Sequence, residues 1–399
     1  MKIAIIGGGA AGFFLGAQLA SPFLDVHIFE KASTPLQKVK ISGGGRCNVT
    51  NACFDPNILV DFYPRGNKEL KSVFGRFQPG DTMGWFADRG VPLKIQEDMR
   101  VFPVSDNSAD IVECLIKENQ KNNVHIHLNE AVKRVIQSGH EFEIITSKDL
   151  YLFDKVVFAS GASKQAWQMI EKLGHRIIEP VPSLFTFNCK DSRIKDLPGT
   201  TFPHAEVKVK DHALENSGSL LITHWGFSGP AVLVLSAWGA RALADLKYKF
   251  TIQINFIGYH IDTALDALNE LKKKNQNQKV GKYAHFDLTK RFWTSVLNDV
   301  KIDPEANWQE VSAKKLMHLA TALTQAEFDI HGKSTFKDEF VTAGGVDLKE
   351  IDFKTMESKL IPNLYFAGEI LNIDAVTGGF NFQACWSEGF IIAEVLKNT

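Results

Sequence analysis

The sequence predicts an α/β fold in which one parallel-sheet domain is assembled from both ends of the chain. At the N-terminus, the apolar run Lys2–Ile6, the helix-like segment Ala10–Ala20 and the apolar run Leu24–Phe29 form a β–α–β unit with a glycine-rich turn. Near the C-terminus, the apolar run Asn363–Ala367 precedes a second glycine-rich turn and the long helix-like segment Gly379–Leu396. Between these ends, strands of alternating polarity and polar helices interrupt the pattern.

The composition is that of a globular protein without a strong charge bias. The 399 residues include 45 Lys and Arg and 46 Asp and Glu, a formal net charge of −1, whereas proteins that bind nucleic acids usually carry a basic excess. The chain has no apolar run long enough to span a membrane, no signal-peptide pattern, and five cysteines without CxxC spacing. We therefore expect a cytoplasmic protein without a nucleic-acid or membrane partner; its oligomeric state is left open.

The other elements of the N-terminal α/β segment follow from short apolar runs and helical periodicity. Residues 31–60 show no clear period and are expected to be loop-like. The elements expected after them are helices over Lys68–Arg89 and Ser108–Asn122 and strands over Val124–Leu128, Ala131–Gln137, Glu141–Ser147 and Lys155–Ala159.

A change of pattern near Ser183 predicts an insert of roughly 150 residues, about the size of one domain. Alternation over Ala205–Lys210 and Lys249–Ile257 predicts antiparallel strands with one solvated face. Helices are expected over Leu265–Lys274, Phe286–Val300 and Ser312–Gln325, and the α/β pattern resumes at Phe336. Because ligand pockets often form between domains, we expect the insert to supply much of the substrate side.

The strongest local motif is Gly7-x-Gly9-x-x-Gly12, which follows a strand and begins a helix. In this pattern Gly7 allows a tight turn, Gly9 lets the backbone approach a pyrophosphate, and Gly12 lets the helix pack closely on the strand. The helix N-terminus favours a phosphate, and the carboxylate of Glu30 can accept hydrogen bonds from a ribose. The spacing therefore predicts a site for the ADP part of a dinucleotide, either NAD or FAD.

Two further glycine-rich segments point to a cofactor with two ends. Ser42–Asn48 contains three consecutive glycines, whose bare backbone allows close approach of a flat ligand, followed by the cation of Arg46. The strand Leu364–Phe366 leads into Gly368-Glu369, and Thr377–Asn381 begins the last helix. A second helix N-terminus, directed at a partial negative charge, suits the far end of a long cofactor.

On these motifs the chain resembles the two-dinucleotide-binding-domain flavoproteins, and among them the BaiN-like (aminoacetone-oxidase-like) group of FAD-dependent oxidoreductases. The resemblance extends over essentially the whole chain, with small departures at Asn372, where Asp is expected, and Ala375, where Gly is common. The strings that carry it include Lys38–Asn51 with Gly-Gly-Gly-Arg-Cys-Asn, Arg100–Pro103, Thr223–Pro230, Thr342–Val346 and Ala367–Gln383.

The resemblance implies an α/β fold with a Rossmann-like FAD-binding domain built from both chain ends. That domain would comprise residues 1–184 and 336–399. The same resemblance implies a β-barrel-like insert over 185–258 and 326–335 and a helical insert over 259–325.

The resemblance also implies the residues that contact FAD. Glu30 would hold the adenosine ribose, Val132 would meet the adenine through its backbone, and Ala159–Gly161 would lie against the cofactor. Gly368-Glu369 would face the ribityl phosphate, and Gly379–Asn381 the pyrimidine end of the flavin. The full expected set is Gly7, Gly9, Ala10, Ala11, Gly12, Glu30, Lys31, Lys38, Gly44, Gly45, Arg46, Cys47, Asn48, Val132, Ala159, Gly161, Gly368, Glu369, Asp374, Gly379, Phe380 and Asn381.

The implied activity is a flavin-dependent oxidoreduction of an unidentified small molecule, with hydride transfer to or from flavin N5. NADH or NADPH is a candidate electron donor, although no second Gly-x-Gly-x-x-Gly motif is present. Arg46 and His224 are candidates for charge stabilisation or proton handling, and the catalytic residues are otherwise unknown. Two alternatives remain open: a flavin disulfide reductase that uses Cys47, and a non-catalytic flavin- or nucleotide-sensing module.

Two histidines of one predicted strand are not expected to bind a metal. His125 and His127 alternate along the strand, and Asn129 is the only polar residue that continues their face. Zinc sites usually have three or four protein ligands, so we expect solvent-facing histidines and no metal.

The sequence predicts that FAD is bound non-covalently, because no His or Cys lies in a known pattern for covalent attachment of a flavin. Denaturation of the purified yellow protein is expected to release FAD from the chain. Retention of the chromophore on the polypeptide, release of FMN, or absence of flavin would contradict this expectation.

Overall fold

The computed structural model of the chain describes residues 1–334 and 341–398, in two units. The first unit comprises the described residues up to Ser183 and those from Val341 onward, and the second comprises those from Leu184 to Ser334. The boundary predicted at residues 335 and 336 lies outside the described residues.

The N-terminal segment of the first unit alternates strands and helices. Its elements are β1 (Lys2–Ile6), α1 (Ala10–Gly16), β2 (Asp25–Phe29), α2 (Gln37–Gly45), β3 (Thr50–Asn51), α3 (Pro56–Leu59), α4 (Asn67–Phe74), α5 (Pro79–Ala87), β4 (Leu93–Ile95), β5 (Arg100–Pro103), α6 (Ser108–Lys121), β6 (His125–His127), β7 (Val132–Ser138), β8 (Glu141–Thr146), β9 (Leu150–Phe153), β10 (Lys155–Phe158), α7 (Lys164–Lys172) and β11 (Ile177–Ser183).

The second unit and the C-terminal segment of the first follow in chain order. The second unit contains β12 (Thr186–Asn188), β13 (Thr201–Val209), β14 (Leu214–Thr223), β15 (Gly226–Ser228), α8 (Pro230–Trp238), α9 (Ala240–Asp245), β16 (Lys249–Asn255), α10 (Ile261–Lys274), α11 (Lys290–Asp299), α12 (Ala313–Thr324), β17 (Ala326–His331) and β18 (Lys333–Ser334). The C-terminal segment contains β19 (Val341–Val346), β20 (Ile351–Asp352), β21 (Glu357–Ser358), β22 (Leu364–Phe366) and α13 (Phe380–Lys397).

The main sheet of the first unit has the strand order β20-β21-β22-β10-β1-β2-β6, and its strands from β22 to β6 are parallel. Residues Ile3–Ile6 are all buried, as expected of a central strand covered on both faces. Ile5 pairs with Val157 on one side and Ile28 on the other, so the carboxyl ends of these strands lie along one edge. Ligands of open α/β sheets bind at this edge. The predicted α/β fold is confirmed.

Helix α13 packs on α1 and joins the two ends of the chain in one core. A Cβ atom at Gly389 of α13 would lie 3.4 Å from the backbone oxygen of Ala11 and 3.4 Å from the Phe14 ring. The Phe14 ring also contacts Trp386, with 5.2 Å between ring centroids. The two helices therefore approach so closely at Gly389 that a single methyl group would fill the space between them.

The second unit contains a seven-stranded antiparallel sheet in the order β17-β16-β13-β14-β15-β12-β18. Val207 and Val209 are buried, whereas Glu206 and Lys208 are exposed, which confirms the predicted alternation with one solvated face. The buried faces of α10, α11 and α12 pack into the same core as the sheet.

Two local predictions are wrong. Residues 31–60 are not simply loop-like, because they contain α2, β3 and α3. The predicted single helix Lys68–Arg89 is two helices, since Pro79 begins α5 and Gln78 caps it with a side-chain bond to the Gly80 N–H.

The expectation of solvent-facing histidines holds for only one of the pair. The side chain of His125 is 60% exposed, but that of His127 is only 21% exposed. His27 of the neighbouring strand β2 lies beside both rings, so Asn129 is not their only polar neighbour.

No helix among the described residues combines the length and the apolarity needed to cross a bilayer.

Candidate cofactor site

The turn between β1 and α1 is shaped by three glycines with different surroundings. A Cβ atom at Gly7, whose φ is +120°, would lie 2.5 Å from the backbone oxygen of Ala159, and one at Gly12 would strike the backbone oxygen of Gly7. At Gly9 a Cβ atom would meet no described atom within 4 Å. Gly7 and Gly12 therefore serve packing, whereas Gly9 borders open space, with Ala10 and Ala11 directly after it at the start of α1.

The carboxylate of Glu30 is fixed at the carboxyl end of β2 by two backbone groups. The Gly8 N–H donates to Oε2 at 2.9 Å, and the Ala32 N–H donates to Oε1 at 2.8 Å. Each oxygen keeps a lone pair for a further donor such as a hydroxyl. Lys31 follows with an exposed side chain, and Val132 lies buried at the start of β7.

Two chain segments that are distant in sequence meet beyond the carboxyl ends of β10 and β22. Glu369 accepts a hydrogen bond from Lys38 Nζ at 2.6 Å and one from the Thr342 N–H at 3.2 Å. A Cβ atom at Gly161 would lie 3.8 Å from Glu369 Oε2. The buried Ser160 hydroxyl has no hydrogen-bond partner among the described residues. Lys38, Gly161 and Glu369, all expected at the cofactor, are thus brought together.

The second glycine-rich loop interrupts α2. Ser42 has ψ 150°, and Gly43 and Gly44 have φ of 58° and 69°, a left-handed conformation that glycine adopts without strain. A Cβ atom at Gly44 or Gly45 would meet no described atom within 4 Å. The loop therefore presents bare backbone to open space.

This loop and the strand after it dock on the N-terminus of α13. The Asn48 side-chain amide is oriented so that its nitrogen donates a hydrogen bond and its oxygen accepts one. The oxygen accepts from the Gly379 N–H at 3.0 Å. Asn51 Nδ2 donates to the Gly378 oxygen at 3.2 Å. A Cβ atom at Gly379 would collide with the backbone of Thr50, so a glycine is required there. The predicted residues of both chain ends are adjacent at this point.

The Arg46 side chain packs on neighbouring residues, and the Cys47 side chain is buried. The Arg46 guanidinium carbon lies 4.2 Å from the centre of the Phe102 ring, and Nη1 lies 3.8 Å from Asp106 Oδ1. This arrangement holds the cation against the loop. Burial raises the pKa of the Cys47 thiol to about 12, so it is not a thiolate at neutral pH, which disfavours the disulfide-reductase alternative. All five cysteines are free.

Three other predicted residues organise the turn before α13. The buried carboxylate of Asp374 accepts hydrogen bonds from the Arg65 guanidinium and, at 2.8 Å, from Ser183 Oγ. The Asn381 amide bonds both the N–H and the oxygen of Ala375, at 3.0 and 3.2 Å. The Phe380 oxygen accepts from the Tyr63 hydroxyl at 2.6 Å.

Sequence reasoning missed the polar groups that lie inside this scaffold. Gln383 Oε1 accepts from the hydroxyls of Thr50 and Thr82, at 2.5 and 2.9 Å. Glu388 is fully buried and accepts from the Gly368 N–H, while its Oε1 has no partner among the described residues. Polar residues on the otherwise apolar helix Phe380–Lys397 were the available signal. Burial raises the pKa of Glu388 to about 8.

His224 lies in the second unit, on the turn between β14 and β15, and is exposed. It lines an open groove of about 620 Å³ together with the charged residues Lys195, Asp196 and Arg291. Its contribution to the chemistry of the cofactor stays a prediction.

Comparison with known proteins gives relatives over the full length of the chain. The family model described as HI0933-like protein Rossmann domain matches residues 1–395. A protein of Escherichia coli (strain K12) named ribosomal RNA dihydrouridine synthase is 28% identical and covers 98% of this chain and 97% of its own. A 3-dehydro-bile acid delta(4,6)-reductase of Clostridium scindens (strain ATCC 35704 / DSM 5676 / VPI 13733 / 19) is 26% identical, with 98% and 97% covered.

Among solved structures, the open conformation of a flavocytochrome c3 fumarate reductase aligns with a TM-score of 0.52 at 16% identity. The alignment covers 98% of this chain and 77% of that one. This similarity concerns the fold.

The open space at Gly9 gives the first prediction from the structure. Gly9→Val is expected to abolish FAD loading without unfolding the chain, because a Cβ atom at this position meets no described protein atom within 4 Å and the side chain occupies space expected for the pyrophosphate. Flavin absorbance per chain and circular dichroism measure the two properties. The matched control is Gly84→Val in α5, where a Cβ atom also meets nothing within 4 Å, and it is expected to retain FAD. Full flavin occupancy in Gly9→Val would contradict the role of the turn.

The buried carboxyl of Glu388 predicts a pH dependence of stability. Its pKa rises from the ordinary 4.5 to about 8 on folding, so its stabilising contribution is complete below about pH 4.5 and is lost as the pH rises to about 8. Relative to wild type, Glu388→Gln is therefore expected to gain roughly 1–3 kcal/mol of unfolding free energy between pH 5 and 8. Urea unfolding of both proteins across this range measures the gain. A constant difference between them would contradict the burial argument.

Proposed function

The chain belongs to the HI0933-like family of Rossmann-domain proteins, and from that premise we propose that this FAD-dependent oxidoreductase reduces a carbon–carbon double bond conjugated to a carbonyl group. The observation that carries the proposal is the chemistry common to two full-length relatives. A dihydrouridine is a uridine with two added hydrogens, and a delta(4,6)-reductase acts on carbon–carbon double bonds. Their substrates differ, but the bond that is reduced is of one kind.

FAD fits the residues at the sheet edge of the first unit. Open space lies over the backbone of Gly9, Gly44 and Gly45. The Glu30 carboxylate has acceptor capacity left for ribose hydroxyls, and the buried Ser160 hydroxyl has no described partner. These features support a long ligand that lies against bare backbone at both ends.

We assign the adenosine end of the cofactor to the N-terminal turn and the flavin end to segments from both ends of the chain. Glu30 and the turn around Gly9 hold the adenosine diphosphate, and the loop of Gly44 and Gly45 with the start of α13 holds the flavin. Bound FAD supplies the hydride, from N5 of its reduced ring. Arg46 lies next to this loop with a permanent positive charge, and it stabilises negative charge at the flavin end.

For the substrate we favour a uracil base within RNA. The C5–C6 double bond of uracil is conjugated with a carbonyl, and the second unit offers cations for phosphates. From Leu184 to Ser334 the chain has 19 Lys and Arg and 16 Asp and Glu, an excess of three positive charges, whereas the whole chain has a formal net charge of −1. The groove with Lys195 and Arg291 lies next to Trp225, whose exposed ring can stack on a base.

A small conjugated ketone is the second candidate substrate. It agrees with the near-zero net charge of the chain and with the substrate class in the name of the Clostridium scindens relative. Both candidates require the same reduced cofactor, so one assay distinguishes them.

The FAD-loaded protein, reduced anaerobically with NADH or NADPH or with dithionite, is to be mixed with unmodified ribosomal RNA or with an α,β-unsaturated steroid ketone. We expect RNA to reoxidise the flavin and to gain two hydrogens at a uracil, detected by mass spectrometry of nucleosides. A double variant with Lys195→Ala and Arg291→Ala is expected to lower the rate with RNA about tenfold by loss of phosphate contacts.

The matched control is Lys274→Ala, an exposed lysine of α10, which is expected to react normally. Turnover of the steroid alone would favour the small-molecule candidate over RNA. Failure of both substrates to reoxidise the flavin would contradict double-bond reduction.

A further inference from the structure

Four side chains from two neighbouring parallel strands meet on one face of the main sheet. His27 of β2 pairs in register with His125 of β6, and Phe29 pairs with His127. Asp25 lies two residues before His27, and therefore on the same face. The rings of His27 and His125 lie 4.6 Å apart, and those of His27 and His127 lie 5.1 Å apart.

Three of these side chains direct ligand atoms toward one point. Asp25 Oδ1 lies 3.0 Å from His27 Nε2 and 3.4 Å from His125 Nε2. The three atoms all lie within 4.8 Å of one another. In a tetrahedral zinc site, metal–ligand bonds of about 2.0–2.2 Å place the ligand atoms about 3.3–3.5 Å apart. The two distances from Asp25 Oδ1, 3.0 and 3.4 Å, are close to this value.

We propose that Asp25, His27 and His125 form a binding site for a divalent transition-metal ion of the zinc type. Two imidazoles and one carboxylate are ligands that zinc accepts, and three protein ligands leave a further position for water.

A chain of hydrogen bonds behind His27 supports the ligand role of its ring. His27 Nδ1 lies 2.9 Å from His127 Nε2, and His127 Nδ1 lies 3.5 Å from Glu130 Oε2. Glu130 in turn accepts hydrogen bonds from Thr146 Oγ1 at 2.7 Å and from the Tyr151 hydroxyl at 3.1 Å. With a proton on its Nδ1 atom, His27 donates to His127 Nε2, and the lone pair of its Nε2 atom, 3.0 Å from Asp25 Oδ1, can then bind a metal in place of the hydrogen bond with Asp25. Histidine ligands commonly have such an outer partner.

The access of the cluster also suits a metal. Asp25 and His125 are 41% and 60% exposed, and an ion can reach them directly from solvent.

The proposed metal site is separate from the cofactor edge. Asp25 begins β2, whereas Glu30 directly follows the last residue of that strand. The site therefore lies toward the amino end of the strand. A bound ion would tie the three-residue edge strand β6 to β2 and stabilise the folded chain by mass action.

The test uses the full-length, FAD-loaded protein without a histidine tag, stripped with a chelator and titrated with Zn²⁺ by calorimetry. We expect one equivalent to bind per chain and the melting temperature to rise. His125→Ala and Asp25→Asn change exposed side chains, and each is expected to weaken binding at least about tenfold and to remove the rise in melting temperature.

The matched control is His140→Ala, an exposed histidine between β7 and β8, which is expected to bind Zn²⁺ like the wild type. Absence of Zn²⁺ binding in the wild type would overturn the proposal. Equal affinity in His125→Ala and Asp25→Asn, or an equal loss in His140→Ala, would overturn it as well. None of these readouts depends on turnover of a substrate.

Discussion

The packing of α13 on α1 is the contact on which the first unit depends. The two helices approach closely at Gly389, where a Cβ atom would be in van der Waals contact 3.4 Å from the Ala11 oxygen, and at the Phe14 and Trp386 rings, whose centroids lie 5.2 Å apart. Close packing at these points brings the last helix against the helix that follows the first strand. The turn before α13 and the turn before α1 consequently belong to one scaffold.

Polar groups inside that scaffold hold the glycine loops in place. Asn48, Asn51 and Gln383 connect the segment after α2 to the start of α13, while Glu369 connects Lys38 to the loop after β22. The glycine loops are therefore held in place by these hydrogen bonds while their backbone still borders open space. This combination of rigid support and exposed backbone is what a flat, charged cofactor requires.

Prediction from the sequence succeeded where the signal is local. The strand before Gly7, the glycine-rich turn and the helix after it are adjacent in sequence, so this unit of the fold could be anticipated, whereas its role in binding the cofactor stays a prediction. Contacts between distant residues could not: Arg65 with Asp374, and His27 with His125, depend on tertiary pairing. The histidine cluster in particular needs the parallel register of β2 and β6, and the sequence of β6 alone suggested only solvent-facing side chains. Helix α2 was missed because its three glycines suggested a loop, and its last turn does leave helical geometry.

We propose that segments from both chain ends form one FAD site, and hydrogen–deuterium exchange measured with and without FAD distinguishes this site from one formed by the N-terminal turn alone. FAD is expected to protect the amide groups of residues 7–12, 42–48 and 368–381 together, because all three segments lie on one scaffold. Protection confined to residues 7–12, with unchanged exchange in the other two segments, would contradict it.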